Sequence, residues 1–401
     1  RAQEVPTAYE LELLTSCPLE AAEAWGRNLA TGAVVKSRSA SSELLARLPR
    51  SRLGPDATPA LVAGEVAPHP WQLEEPAHEP VSIGPGRVAI SETRVFEADQ
   101  PVTVRAGTRL EMAPDASLIF LGSVQFEGTS RKPIEIVPAR AEPWGGLVIR
   151  GAASAGSGLH GVHLRGGTRP HYGSGDYPAL VDVHDSRDIS IDDCDFAAPG
   201  SPNDTLHLAY VEAARVNNCH FDAGPEDALD LEFSEVDLRQ LRIVGSGDDG
   251  LDLMGSRVNV TDSVILSTKG NGISCGEGSE VRVRDSLIAD CGVGVLAKNA
   301  GHASLSESVL YHNGTGLRSY QRTVRYAGAS DLRGSRLFVA ESVAQPLERS
   351  DRAGSALDSG ELQLSLPLPG ALEHLRSDVL GLENWQALAE FVSHEKAQAL
   401  R

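Results

Sequence analysis

The chain alternates apolar and polar residues inside short segments, and these segments recur about every 22 residues. In each segment the fourth and sixth residues are mainly apolar or small, as in Leu229 and Leu231, and the residues between them are mainly polar. Alternation over so few residues predicts a short β-strand with one buried face. The segments start 23, 22, 22, 22 and 22 residues apart, at Asn203, Glu226, Asp248, Gly270, Gly292 and Gly314.

A second apolar series follows the first in the same repeats. Its members lie 22, 22, 23 and 22 residues apart and are Phe221, Ile243, Ile265, Ile288 and Leu310. Cys194 and Cys219 precede Phe196 and Phe221 by the same two residues, which predicts one shared internal column. Short strands in a repeat of about 22 residues, with no helix, are typical of one coil of a right-handed parallel β-helix. A leucine-rich repeat of similar length would need a fixed leucine and asparagine pattern, which is missing.

The predicted fold is therefore all-β, a right-handed parallel β-helix (a solenoid) with short helical caps at both ends. Residues 1–87 are predicted to be an N-terminal helical cap and proline-rich linker, residues 88–328 the β-helix, and residues 329–401 a C-terminal cap with a terminal helix. The cap helices are expected at residues 16–30 and 383–400, because an open end would expose strand edges and core. With strands about 4.8 Å apart, roughly ten or eleven coils would form the solenoid.

Charge and composition narrow the function. The chain has 401 residues, 55 of them acidic and 36 basic, for a net charge of −19. Such a surface repels nucleic acid, so a nucleic-acid partner is not expected. No apolar run approaches the roughly 20 residues of a membrane span. The five cysteines are scattered and odd in number, which indicates buried small residues rather than a disulfide framework.

Stacking of coils turns sequence spacing into columns of side chains. Residues 22 or 23 apart should lie about 5 Å from each other on adjacent coils. One predicted column holds Asp204, Asp227, Asp249 and Asn271. The next holds His207, Asp230, Asp252, Ser274, Leu296 and Arg318. Beside it run Glu232, Met254, Gly276, Lys298 and Tyr320, with Glu277 one residue further on. The sequence thus predicts an acidic patch bordered by Lys298, Arg318 and Tyr320.

Three chemical explanations of this acidic patch remain open. Like charges about 5 Å apart repel and raise one another's pKa values. Converging carboxylate oxygens suit a hard cation such as calcium, whereas two carboxyl groups with one protonated suit glycosidic-bond hydrolysis. Turns also require aspartate, asparagine and glycine, so a stacked Asp or Asn ladder can simply cap backbone amides.

The repeat resembles the right-handed parallel β-helix superfamily of pectin lyases and polygalacturonases. It looks closest to the β-helix region that accompanies spore-coat-H-type kinase domains in bacterial surface proteins, with segments D-G-I-D, D-K-G-I-S-x-G-E, K-D and Y-Q-K-K. The resemblance covers roughly residues 95–330. Its matching stretches are Asp249–Asp252, Gly270–Glu277, Lys298–Asn299 and Tyr320–Arg322.

A fainter likeness links the chain to the polygalacturonases, whose motifs on successive coils read N-T-D, G-D-D, G-H-G and R-I-K. The corresponding stretches here are Glu226-Asp227, Gly247–Asp249, Gly270–Gly272 and Leu296–Lys298. The likeness implies three catalytic carboxylates, Asp227, Asp248 and Asp249, and a substrate-binding Lys298. Asn271 stands at the family's histidine position and Leu296 at its arginine position.

The sequence therefore predicts an extracytoplasmic protein, secreted, periplasmic or on the cell surface, that binds or processes a polysaccharide as a hydrolase or lyase. The candidate catalytic residues are Asp227, Asp248, Asp249 and Asp252. The candidate substrate-binding residues are His207, Glu277, Lys298, Arg318 and Tyr320. The candidate ligands of a calcium ion are Asp230, Asp252 and Glu232. The alternative is a non-catalytic surface adhesion or scaffold module whose aspartate ladder is structural.

Overall fold

The computed structural model divides the chain into two compact units, Arg1–Leu73 and Glu74–Arg401. The described residues are 21–27, 34–40, 78–173, 175, 177–197, 204–222, 224–321, 326, 328–340, 345–349, 356–358, 362–364, 390 and 394. In the first unit, strands β1 (Ala21–Arg27) and β2 (Val34–Ala40) form an antiparallel pair. The prediction of an N-terminal helix at residues 16–30 is therefore wrong over β1. Alanine and glutamate are good helix formers, but pairing with a second strand overrides this local preference.

The second unit winds parallel strands into coils, and corresponding strands of successive coils pair to form three sheets. Sheet 1 consists, among the described residues, of eleven strands, in keeping with the predicted ten or eleven coils. They are β5 (Arg94–Phe96), β8 (Leu118–Phe120), β11 (Leu147–Arg150), β14 (Ala179–His184), β17 (Asp204–Ala209), β20 (Leu229–Glu232), β23 (Leu251–Met254), β26 (Asn271–Gly276), β29 (Val293–Lys298), β31 (Thr315–Tyr320) and β33 (Gln345–Arg349).

Sheets 2 and 3 run along the other two sides of the coils and merge through two long strands, β30 (His302–Tyr311) and β32 (Asp331–Ala340). Sheet 2 also contains β3 (Val81–Ile83), β6 (Val102–Arg105), β9 (Val124–Glu127), β12 (Gly158–His160), β15 (Ser190–Asp192), β18 (Ala214–Asn217), β21 (Glu235–Arg239), β24 (Arg257–Thr261), β27 (Glu280–Arg284) and β34 (Ala356–Asp358). Sheet 3 also contains β4 (Gly86–Ile90), β7 (Thr108–Met112), β10 (Ile134–Pro138), β13 (Val162–Arg165), β16 (Asp195–Ala197), β19 (His220–Asp222), β22 (Arg242–Val244), β25 (Val264–Leu266), β28 (Leu287–Ala289) and β35 (Leu362–Leu364). A single 3-10 turn spans Ala152–Ser154.

The core lies inside the coils, where the inward residues of the three sheets meet in continuous apolar columns. Phe196 pairs in register with Phe221, and their rings stack with centroids 4.7 Å apart. Cys194 and Cys219 are buried beside them as free thiols, which confirms the predicted internal column. Identical side chains at successive coils therefore stack with the spacing of the strands themselves.

Residues in the left-handed conformation turn the corners between sheets. After sheet 1 these include Tyr210, Phe233 and Glu277, with φ values of 56°, 48° and 52°. Short turns of this kind keep the repeat short and the coils in register.

Two bounds of the predicted domains differ from the structure. Solenoid strands already begin at Val81–Ile83, before residue 88, and parallel pairing continues to Leu362–Leu364, beyond residue 328. The sequence period is less regular in these outer coils, so it does not mark where the solenoid stops. Of the predicted C-terminal helix, the described residues include Glu390 and His394, both helical, and the rest lies outside the described residues. Within the described part of the chain, no helix combines the length and apolarity that a membrane crossing requires.

Candidate functional site

The outer face of sheet 1, formed by side chains that point away from the core, carries the predicted acidic patch. Strand register pairs His207 with Asp230 and Asp230 with Asp252, and the same column continues through Ser274, Leu296 and Arg318. This confirms the predicted column and extends it back one coil to Asp182, the partner of His207. In-register positions on neighbouring strands lie about 4.8 Å apart, so these groups interact directly.

The corner before sheet 1 carries a ladder of carboxylates that accept hydrogen bonds from backbone amides. The Asp227 N–H donates to Asp204 Oδ1 at 3.0 Å, and the Asp249 N–H donates to Asp227 Oδ1 at 2.7 Å. Asn271 closes the ladder by donating its backbone N–H and its Nδ2 to Asp249 Oδ1, at 2.6 and 2.8 Å. Two candidate catalytic residues, Asp227 and Asp249, thus cap the next coil, as Asp204 also does.

Burial dominates the electrostatics of these acidic side chains. It raises the pKa of Asp227 to about 9, with the charges of Asp249 and Asp204 adding to the rise. Burial likewise raises the pKa of Asp230 to about 8 and the pKa values of Asp204 and Asp249 to about 6. A carboxyl group that is desolvated beside other carboxyl groups holds its proton into the neutral range.

Asp252 differs from the other carboxylates because it has a cationic partner. Lys298 Nζ lies 3.6 Å from Asp252 Oδ1, and only 17% of the lysine side chain is exposed. Burial alone would lower the pKa of Lys298, but the charges of Asp252 and Glu277 outweigh it and raise the pKa above its usual value. The lysine stem crosses Gly276, where an added Cβ would lie 2.6 Å from Lys298 Cε. Gly276 therefore leaves the space through which Lys298 reaches Asp252.

The remaining predicted site residues lie around this ion pair. Asp248 is exposed at the corner next to Asp249. Glu277 occupies a corner turn and accepts a hydrogen bond from Asn299 Nδ2 at 2.7 Å. Arg318 and Tyr320 are half-buried on β31, where Tyr320 pairs in register with Lys298. The structure thus places acidic groups on one half of the outer face and Lys298, Arg318 and Tyr320 on the other.

Two acidic groups on this face can hold a metal ion. His207, Asp230 and Glu232 form one, and Asp227, Asp248 and Asp249 form the other, each with ligand atoms within 4.8 Å of one another. Two of the three predicted metal ligands, Asp230 and Glu232, thus come together. The third, Asp252, faces Lys298 instead. Calcium as the ion stays a prediction.

An exposed aromatic pair borders the same face and was not predicted from the sequence. The rings of Tyr210 and Phe233 stack with centroids 5.2 Å apart and an interplanar angle of 10°. Both are large, exposed side chains, at 38% and 39%. Phe233 follows Glu232 directly, so the pair stands at the edge of the acidic columns. The two aromatic residues are 23 residues apart, which could have indicated that they stack on adjacent coils. The alternation of apolar residues alone would instead predict that both are buried.

A second unpredicted group lies one coil earlier. Asp182 and His184 on β14 meet His207 of β17, and Asp182 is fully buried. Burial raises the pKa of Asp182 to about 7, partly offset by a hydrogen bond with His184. The repeat is 25 residues long here, because His207 follows Asp182 by that number. This irregular length hid the match between the two coils.

Residues 174–310 and 228–335 match the family described as "Right handed beta helix region". No curated protein matches the sequence significantly. Similar solved structures include the A-module of the mannuronan C-5 epimerase AlgE4 from Azotobacter vinelandii, at 12% identity and a TM-score of 0.47, covering 71% of this chain and 91% of that one. The alginate lyase from Paenibacillus sp. str. FPU-7 aligns at 12% identity and a TM-score of 0.44, covering 63% and 91%. The surface protein and adhesin PfbA of Streptococcus pneumoniae aligns at 8% identity and 0.41, covering 69% and 90%.

Proposed function

We propose that the outer face of sheet 1 binds a polysaccharide and cleaves a glycosidic bond. Asp230 and Asp252 are the reacting carboxyl pair, and Lys298 pairs with Asp252 and orients it. The protein acts outside the cytoplasm, where structural polysaccharides lie.

The observation that carries the proposal is the placement of Asp230 and Asp252 with Lys298. The two carboxyl groups occupy in-register positions on adjacent strands, about 4.8 Å apart at the backbone. Hydrolysis with retention uses two carboxyl groups about 5–5.5 Å apart, one of which attacks the sugar while the other transfers a proton. Lys298 Nζ, at 3.6 Å from Asp252 Oδ1, fixes the position of this carboxyl group by a charge-assisted contact.

The aromatic pair supplies the binding surface for the sugar. The C–H face of a pyranose ring is apolar and flat, and it packs on an exposed aromatic ring that offers both area and rigidity. Phe233 follows Asp230 by three residues, which places its backbone about 10 Å along the strand direction. A chain of sugar units that stacks on Tyr210 and Phe233 therefore reaches the carboxyl pair.

Backbone capping does not by itself require this much charge. At the corner after sheet 1, Ser256 Oγ accepts the Ser234 N–H at 3.0 Å, and at the corner after sheet 2, Ser286 Oγ accepts the Ser263 N–H at 3.2 Å. Neutral hydroxyl groups thus perform the same capping at two corners. The carboxylates before and on sheet 1 are costly to bury together, which favours a chemical role for this side of the solenoid.

The test is a product assay over a panel of neutral and uronic polysaccharides, with calcium and with chelator. Reducing ends and unsaturated-uronate absorbance are read together for the wild type, Asp252→Asn and Asp230→Asn. We expect reducing ends without the absorbance, and a loss of about 100-fold or more in either variant. Absorbance would instead establish elimination.

The matched control is Asp237→Asn, which removes an exposed carboxylate from sheet 2 of the same coil. It should leave the rate unchanged. Phe233→Ala should fold normally and bind the glycan more weakly. Val95 is another exposed apolar residue, and Val95→Ala should leave glycan binding unchanged. Equal product from the wild type and Asp252→Asn would refute the assigned pair. Loss of product with chelator and its return with calcium would support the predicted calcium ion.

A second candidate function is a non-catalytic adhesion or scaffold module. It is favoured by the ladder in which Asp204, Asp227 and Asp249 each accept a backbone N–H of the next coil. A solenoid with capped coils can serve as a spacer or a binding face without chemistry, because fold alone does not determine function. Absence of product on every substrate, with Asp227→Asn at least as stable as the wild type, would select this function.

A further inference from the structure

Three side-chain atoms converge at one point on the outer face of sheet 1, one coil before the proposed carboxyl pair. His207 Nδ1 lies 3.1 Å from Asp182 Oδ1, and His184 Nε2 lies 3.2 Å from His207 Nδ1. The third side of the triangle, from His184 Nε2 to Asp182 Oδ1, is 3.6 Å. The group is well shielded, since 0% of Asp182, 5% of His207 and 16% of His184 side chain is exposed.

Protons alone satisfy this triangle poorly. If both nitrogens carry a proton for the carboxylate, two N–H groups face each other at the 3.2 Å that separates His184 Nε2 from His207 Nδ1. If only His207 Nδ1 is protonated, its one N–H is shared between Asp182 Oδ1 at 3.1 Å and His184 Nε2 at 3.2 Å, so each acceptor receives only part of one hydrogen bond. A cation at the centre would instead take a lone pair from all three atoms.

We propose that Asp182, His184 and His207 form a binding site for a divalent transition-metal ion of the zinc class. Ligands about 2.1 Å from a tetrahedral ion are separated by about 3.4 Å, and the three observed separations of 3.1, 3.2 and 3.6 Å bracket that value. Two imidazole nitrogens and one carboxylate oxygen suit zinc and its neighbours rather than calcium, which prefers oxygen ligands.

The surroundings of the triangle hold its ligands in place. Asp182 Oδ2 accepts the Ala179 N–H at 3.3 Å, which leaves Oδ1 directed at the two rings. His207 Nε2, on the far side of its ring, faces the Asp230 carboxyl group at 4.0 Å from Oδ2, which is beyond hydrogen-bond distance. The ring of Tyr177 lies against that of His184, with centroids 5.2 Å apart, and its hydroxyl accepts a hydrogen bond from Arg150 Nη1 at 2.7 Å. Three protein ligands leave a fourth position for water or for an oxygen of a ligand.

The experiment is a titration of the untagged full chain, first stripped with chelator, with Zn²⁺ by calorimetry and with Co²⁺ by visible absorption. We expect one Zn²⁺ per chain and an intense Co²⁺ band of tetrahedral type. His184→Gln, the variant of the most exposed ligand, should weaken Zn²⁺ binding at least about tenfold, and His207→Gln should do the same. Excess Ca²⁺ should not displace Zn²⁺.

The matched control is His160→Gln, because His160 also meets a carboxylate, Asp192 Oδ2 at 3.1 Å, but is about 40% exposed and lies on sheet 2. Its removal should leave the Zn²⁺ affinity unchanged. The proposal is overturned if the wild type binds no Zn²⁺, if His184→Gln binds it as tightly, or if Ca²⁺ competes at equal concentration. Because the readout is metal binding, failure here leaves the polysaccharide proposal intact, and the reverse also holds.

Discussion

At the scale of single residues, the surroundings of Asp227 have opposing effects on its protonation state. Its Oδ1 accepts the Asp249 N–H at 2.7 Å, which favours the carboxylate form. Burial and the neighbouring Asp249 and Asp204 charges favour the protonated form more strongly and raise its pKa to about 9. Asp227 therefore caps the next coil in its protonated form, and ionisation would place a charge in a buried position beside other carboxyl groups.

Asp227→Asn is expected to change how stability depends on pH. Because the folded-state pKa lies above the usual 3.8, the unfolded chain loses its proton first as pH rises. The free energy of unfolding contributed by this group should therefore fall between about pH 4 and about pH 9. Asparagine keeps an oxygen for the Asp249 N–H and cannot ionise, so the variant should be more stable than the wild type at pH 8, by about 1 kcal/mol or more.

Urea unfolding at several pH values measures this difference, with Asp237→Asn as the exposed control on the same coil. If the free energy of unfolding changed with pH equally in Asp227→Asn and in the wild type, between about pH 5 and about pH 9, Asp227 would be ionised in the folded chain. Asn271 already occupies the next rung of the ladder, where it donates to Asp249. An amide therefore fits beside a carboxyl group in this ladder, although Asn271 acts there as a donor and not as the acceptor.

The sequence predicted some single residues of the site well and others not at all. Equal spacing placed Asp252 and Lys298 on neighbouring columns, and the structure shows that they form an ion pair. Asp182 and His184 were not, because the coil between Asp182 and His207 is longer than its neighbours. The exposure of Phe233 depends on its left-handed corner conformation, with φ 48°, which an apolar pattern does not reveal.

At the scale of the element, each corner of the coil has its own polar ladder. The corner after sheet 1 stacks Ser234, Ser256 and Ser279, and each hydroxyl accepts a backbone N–H from the coil before it. The corner after sheet 2 repeats the arrangement with Ser263, Ser286 and Ser308. A corner amide has no strand partner within its own coil, so a side-chain acceptor from the next coil replaces it.

Ser256→Ala should therefore cost more than the loss of one exposed hydroxyl. The Ser234 N–H is buried and would lose its acceptor at 3.0 Å, which costs about 1–3 kcal/mol. Denaturant unfolding of the two proteins measures the difference. Ser304→Ala is the control, since its half-buried hydroxyl donates to the Val281 carbonyl oxygen at 3.5 Å. A loss below about 0.5 kcal/mol would show that water replaces the hydroxyl.

The strands themselves were the most predictable elements. A constant repeat fixes both which residues alternate inward and which residues pair, and the register of His207, Asp230 and Asp252 follows from their positions alone. The N-terminal segment lacks such a repeat. There the choice between helix and strand depended on whether Ala21–Arg27 finds a pairing partner, which it does in Val34–Ala40, and local preference could not supply that information.

At the scale of the whole molecule, the net charge is opposite in sign to the cationic half of the outer face of sheet 1. The chain has a net charge of −19, which repels an anionic polysaccharide at distances beyond the contact itself. Lys298 and Arg318 offer cationic groups on one half of the outer face of sheet 1. Binding of a uronic polymer is thus governed by a long-range repulsion and a short-range attraction that salt screens to different degrees.

As the salt concentration rises, the long-range repulsion between the protein and the polymer should weaken before the short-range attraction does. The Debye length falls from about 30 Å at 0.01 M salt to about 10 Å at 0.1 M, whereas Lys298 is half-buried and paired at short range with Asp252. Affinity for a labelled uronic oligosaccharide, measured by fluorescence anisotropy, should therefore rise severalfold over this range, and affinity for a neutral oligosaccharide should stay constant. Lys298→Gln should lower the uronic affinity at both salt concentrations. Affinity that instead falls with salt would mean that contacts with the basic half of the face dominate, and that the acidic remainder of the molecule lies too far from the bound polymer to repel it.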